Sequence, residues 1–197
     1  MARFNREESP PAYSDHREYV PFLRKDFQFR CAYCERTEAY FGGEETFEVD
    51  HFKPEQKFPE LRTAYENLYY SCRKCNGIKW KTWPTEDQIN EGTFFADPCV
   101  EDPYEAHLSE RPDGGLDQLT ACGAYTNRHI RLDRPSVEAW RHRRREARRD
   151  LPRFKSLESD LVHLMDFAGR DRLAEIEAQL EALRRHIDEI ERIFLIS

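Results

Sequence analysis

Two Cys-x-x-Cys pairs, Cys31/Cys34 and Cys72/Cys75, limit what this chain can fold into more than any other feature. Tetrahedral zinc favours four thiolates, and each knuckle of this spacing presents two of them at ligand distance. Both pairs are expected to close on one ion. Four protein ligands leave such an ion no open position, so its expected role is structural. The stretch between the knuckles is longer than a bare zinc ribbon needs, and something further is expected to be built there. Cys99 and Cys122 stand alone and read as buried thiols.

Paired spacing argues for metal rather than disulfides, and the first residues lack the apolar core of a secretion signal. A reducing, cytoplasmic setting follows as the expectation. No apolar run approaches the roughly 18 residues that span a bilayer. The formal net charge is −7, unevenly spread: residues 1–82 balance, 83–133 carry −8, 134–155 carry +6 and 156–197 carry −5. An acidic chain has little intrinsic affinity for duplex DNA through phosphate contacts alone.

Four segments are expected: an N-terminal arm and short helix (1–27), a zinc-knotted core (28–83), a loop-rich extension with a hairpin at Asp113-Gly114-Gly115 (84–134), and a helical region (135–197). In the core, Phe27 to Tyr40 reads as strand, knuckle, strand; Phe47 to His51 alternates as a strand; and a helix opens at Cys72. Pro135 suits the first turn of a helix, and Asp171 is placed to cap the last one. That last helix carries Leu173, Ile176, Leu180, Leu183, Ile187, Ile190 and Phe194 at alternating spacings of three and four. Such a seam packs either on residues 135–168 or on another chain. Arg141, Arg144, Arg145 and Arg148 fall on one helix face, as a nucleic-acid contact or a solvated face. Trp80 and Trp83 read as packing residues.

Between and just after the knuckles the chain reads Val49-Asp50-His51-Phe52-Lys53-Pro54, then Asn67-Leu68, then Cys75-Asn76-Gly77-Ile78-Lys79. Singly, these are a strand end, a turn and a helix start. In this order and between zinc knuckles they resemble the HNH nuclease family. The resemblance implies an α+β chain: a zinc-stabilised ββα-metal nuclease domain with a C-terminal helical region. It implies that His51 is the general base, that Asp50 and Asn76 ligate a catalytic Mg²⁺ or Mn²⁺, and that Asn67 orients the His51 ring through a backbone contact or hydrogen bond. Asn76 stands where many members have histidine, a departure that suits a hard cation. Lys79, one helical turn later, is expected to contact a phosphate.

Phosphodiester hydrolysis needs an activated water and neutralisation of developing charge, and a neutral imidazole is a competent base near pH 7. The resulting expectation is a metal-dependent endonuclease acting on nucleic acid, with DNA as substrate. The layout is also similar to HNH proteins of bacterial phage defence. That likeness implies an ATPase or other sensor subunit as partner, and the seam suits a homodimer or such a complex through the C-terminal helices. The rival reading is a non-catalytic zinc module that binds nucleic acid or protein and has no use for His51.

Overall fold

The computed structural model describes residues 1–6 and 8–195. The chain forms two compact units, Met1–Arg141 and His142–Ser197. The sequence boundary at 134/135 thus becomes a division inside one long helix.

In the first unit, a 3₁₀ turn (His16–Tyr19) capped by Asp15 leads into α1 (Val20–Asp26). The first knuckle follows, then α2 (Glu38–Phe41), capped by the Thr37 hydroxyl. Strand β1 (Phe47–His51) pairs antiparallel with β2 (Leu68–Cys72), and β2 runs directly into α3 (Arg73–Lys79). Short helices α4 (Glu86–Asn90) and α5 (Pro103–Ala106) precede the hairpin β3 (Leu108–Glu110) and β4 (Leu116–Gln118). Helix α6 (Ala121–Ile130) ends at Arg131, whose φ of 55° is left-handed, and α7 (Pro135–Met165) begins at its proline.

The strands expected around the first knuckle reduce to a single bridge, Arg30 to Thr37. Gln28, Phe29 and Glu35 all have positive φ, and such residues cannot continue a strand.

Aromatic rings fill the core. Phe27, Phe52 and Tyr33 each pack on Tyr69, whose centroid lies 4.8 Å from that of Phe52. The N-terminal arm acts as a strap. Phe4 is buried against Phe27, and the Arg6 guanidinium lies over Phe27, Tyr65 and Tyr69 while donating to the Leu68 carbonyl at 2.6 Å.

The second unit holds the remainder of α7 and α8 (Arg170–Ile190). Gly169 precedes α8 without a side-chain cap, and Asp171 sits inside the first turn rather than before it. Phe154 meets His186, Glu158 accepts from Arg184 at 2.7 Å, and Lys155 pairs with Glu191 at 2.7 Å. The two helices therefore fold back as an antiparallel hairpin. Leu180, Ile187 and Ile190 of the seam are buried.

Candidate active site

All four cysteines of the knuckles are buried, with their sulfurs within 4.8 Å of one another. A Zn–S bond of about 2.3 Å implies sulfur–sulfur edges of about 3.8 Å, and Cys34 and Cys72 stand 3.9 Å apart. The cluster fits one tetrahedral ion. Four thiolates around a dication leave two negative charges in excess. Two buried arginines answer them: Arg36 Nε donates to Cys34 at 3.4 Å and Arg134 Nη2 to Cys75 at 3.2 Å. Burial pushes the Cys34 thiol up, but its hydrogen bonds with the other three cysteines and the Arg36 charge hold it well below the usual thiol range.

The same knot sets the register of the strands. Cys72 lies opposite Phe47, which places Asp50 opposite Tyr69 and His51 opposite Leu68. Glu48 and Asp50, two apart on β1, meet Asn76 and Lys79, three apart on α3. Asn76 Nδ2 donates to Glu48 Oε1 at 2.9 Å, and Lys79 Nζ donates to Asp50 Oδ2 at 2.9 Å and Oδ1 at 3.1 Å. The strand and helix periods coincide here to bring four polar side chains together.

Lys79 is fully buried and gives a further hydrogen bond to the His51 carbonyl at 2.7 Å. An ammonium so committed does not reach a substrate phosphate; it pins helix to strand. Tyr33 donates to Asp50 Oδ2 from the other side. Burial raises the Asp50 carboxyl above the ordinary range against the pull of Lys79 and Tyr33. Lys79→Met is expected to strand this buried carboxylate and lower stability by about 3–5 kcal/mol, the cost of breaking a buried pair from one side. A thermal melt checks this. A phosphate contact would instead leave the melt unchanged and alter the salt dependence of binding.

The His51 ring is held by its Nε2, 2.9 Å from the Arg62 carbonyl. A carbonyl only accepts, so Nε2 carries the proton and Nδ1 of the neutral ring keeps its lone pair. Asn67 does not touch the ring. Its amide donates to the Lys53 carbonyl at 3.0 Å and accepts from the Lys53 amide at 2.9 Å, with a longer contact to Leu61 O at 3.4 Å. It staples the loop between Lys53 and Leu61, and that loop delivers the Arg62 carbonyl.

Two neighbours carry no motif and were invisible in the sequence. The His16 ring packs edge-on against His51 with centroids 4.9 Å apart, and burial, then the nearby His51, lowers its pKa. Glu55 lies 3.9 Å from His51 Nε2. Only three-dimensional proximity reveals either one.

Asp50, His51, Glu48, Asn76 and Trp80 line one open cleft of about 320 Å³. A larger cleft of about 680 Å³ between α4 and α6 contains none of the motif residues. The donor set of the smaller cleft fits a hard divalent cation. A carboxylate has about four acceptor positions; Lys79 and Tyr33 occupy those on Asp50 Oδ2, and Oδ1 retains one. Asn76 points its amide nitrogen at Glu48, which frees its oxygen. Glu48 adds a second carboxylate that the motif letters do not include.

The arginine face divides. Arg141 is buried and donates to the carbonyls of Gly114 at 2.6 Å and Leu132 at 2.9 Å, tying the β3–β4 turn to the start of α7. Arg144 is buried as well, and Arg145 and Arg148 are exposed. The four do not form one open stripe.

The two tryptophans also part ways. Trp83 packs among Phe52, Phe58 and Phe95, as expected. Trp80 is 66 % exposed. Its φ of 46° and ψ of −128° match the first central position of a type II′ turn, closed by the Thr82 amide on the Lys79 carbonyl at 2.9 Å. Glycine is the residue that adopts this conformation without strain.

No helix among the described residues is long and apolar enough to cross a membrane. No curated protein matches the chain. Residues 31–81, from the first knuckle through α3 and including His51 and Asn76, match the family described as HNH endonuclease.

Proposed function

We propose that this chain is a metal-dependent endonuclease that hydrolyses phosphodiester bonds in DNA, with His51 as general base. The observation that carries the reading is the fixed His51 ring. Its Nε2 is bound to the Arg62 carbonyl, and the ring lines the cleft that also receives Asp50 and Asn76. In this reading Nδ1 takes a proton from water as the water oxygen bonds to phosphorus. The P–O3′ bond then breaks, and the leaving 3′ oxygen is protonated from solvent. His16 and the Arg62 carbonyl hold the imidazole in place, and Asn67 holds the loop that bears that carbonyl.

A divalent cation held by Asp50, Asn76 and Glu48 would supply charge neutralisation at the phosphate and the departing oxygen. A structural zinc on Cys31, Cys34, Cys72 and Cys75 would keep β1 and α3 at their spacing. The test is incubation of the purified chain with plasmid DNA, and with RNA of matched length, with and without Mg²⁺ or Mn²⁺. Metal-dependent nicking or cutting of the DNA is expected. An intact plasmid under every condition would replace this reading with the zinc-module one.

For assembly, we propose that the C-terminal hairpin pairs with a second protein chain through its turn end, where Val162, Leu164 and Phe167 are exposed. Leu164 and Phe167 line one cleft at this turn with Leu161, Ala168 and Ile176, and an apolar surface of this kind is usually covered. Light scattering is expected to show a species larger than the monomer that Phe167→Glu dissociates. A wild type that stays monomeric at all concentrations, alone and with cell extract from its own host, would remove the assembly role.

A further inference from the structure

We infer that Trp80 is a stacking platform for an unpaired nucleobase of the substrate strand, next to the scissile phosphate. This rests on the nuclease reading above and names the substrate form that the cleft takes. Three observations converge. First, the indole lies on the wall of the cleft that holds His51 and Asn76. Second, it is 66 % exposed, and among the described residues no aromatic ring packs on it. Third, the backbone holds it there in a conformation that favours glycine. Such strain persists where the surrounding structure over-determines it, and it gathers at functional sites.

The surface beside the indole suits a nucleic-acid strand. Arg73 and Gly77 lie four apart on one exposed side of α3, and the exposed Trp80 follows its last residue. A side chain added at Gly77 would meet nothing within 4 Å, so the helix is bare between the cation and the ring. Lys74 and Lys81 are exposed on the same short segment. A strand crossing this ledge meets cations for its phosphates and one large ring for a base.

Charge explains why a ring is needed. The chain is acidic overall, at −7, and phosphate contacts weaken steeply with salt. Stacking on an aromatic face supplies affinity that is tolerant of sequence and does not rest on phosphate contacts. A base inside a duplex has both faces covered by its neighbours, so the platform selects an unpaired base at a single strand, a flap or a distorted site.

The test compares the zinc-loaded wild type with Trp80→Ala, Trp80→Phe and Trp80→Gly. The substrates are a single-stranded oligodeoxynucleotide, its blunt duplex and the matching RNA, with Mn²⁺ present. For the single strand, Trp80→Ala is expected to raise KM about tenfold or more, within the range for one base–aromatic stack. The value of kcat should stay nearly constant, and Trp80→Phe should recover most of the loss. Trp80→Gly should lose binding equally while melting at a higher temperature than wild type, because glycine accepts the positive φ. Trp83 and Trp140 are shielded from the cleft, so quenching of indole fluorescence by the oligonucleotide should vanish in Trp80→Ala.

An unchanged KM in folded Trp80→Ala and Trp80→Gly, with wild-type cleavage intact, would overturn the stacking role alone. A larger KM rise on the duplex than on the single strand would overturn the preference for an unpaired base. A wild type that neither binds nor cleaves any of the three substrates would remove the nuclease reading, and this inference with it.

Discussion

Cys72→Ser is expected to cost the chain its metal and, with it, the fold of the first unit. Metal analysis of the wild type should find about one tightly held zinc per chain, the stoichiometry of a Cys₄ site. Binding of a structural zinc is worth about 10–16 kcal/mol in small metal domains, as much as the whole folding stability of an ordinary domain, about 5–15 kcal/mol. Cys72 is the most sensitive of the four positions. It is the last residue of β2, the register partner of Phe47 and the residue from which α3 departs. Losing it would also leave the buried guanidinium groups of Arg36 and Arg134 without their counter-charge. Circular dichroism should show loss of cooperative melting. Cys99→Ser and Cys122→Ser should leave zinc content unchanged, since the Cys122 thiol only donates to the Gly92 carbonyl. A folded, zinc-free Cys72→Ser protein would refute the structural-zinc assignment.

The second large effect is His51→Ala, which is expected to abolish cleavage while leaving fold and zinc content intact. A positioned general base contributes about 10²–10⁴ in rate, and here no neighbour can replace it. His16 meets the ring edge-on, and Glu55 lies on the Nε2 side. The loss should appear in kcat with KM nearly constant, the signature of an interaction made in the transition state. His51→Ala removes no buried charge, and its melt should fall only slightly. Cleavage at the wild-type rate would move the reading to a binding module.

What could be read from the sequence was local. The knuckles, the strand at Phe47–His51, the start of α3 at Cys72 and the turn at Asp113-Gly114-Gly115 depend on spacing over a few residues, though the burial along that strand does not alternate as its sequence does. The errors lie where a side chain's role depends on a distant partner. Lys79 follows Asn76 by one turn in either account, but only the fold shows that this turn faces the buried Asp50 rather than solvent. Arg141 belonged to a plausible basic stripe until the carbonyl of Gly114, far away in sequence, claimed it. Asn67 was expected to orient the His51 ring through a backbone contact or hydrogen bond, and only the fold shows its amide spanning the loop between Lys53 and Leu61. Trp80 went the other way. An apolar residue beside a helix end is normally packed, and the positive φ that turns it outward leaves no trace in composition.

Arg134 has a consequence for the order in which this chain assembles. Besides donating to Cys75, its guanidinium holds the carbonyls of Ile130 at 2.5 Å and Arg131 at 2.9 Å, at the end of α6. One side chain, 59 residues from Cys75 in sequence, thus joins the second knuckle to the end of α6. Until the sulfurs gather and ionise, burying that guanidinium would leave it without a counter-charge, which opposes closure of the α6–α7 corner. If a zinc ion holds the four cysteines, closure of this corner is expected to follow metal loading, because the bound metal keeps the thiols ionised. Refolding of the metal-free chain is therefore expected to wait on added zinc, with the aromatic core closing only after the sulfurs are bound.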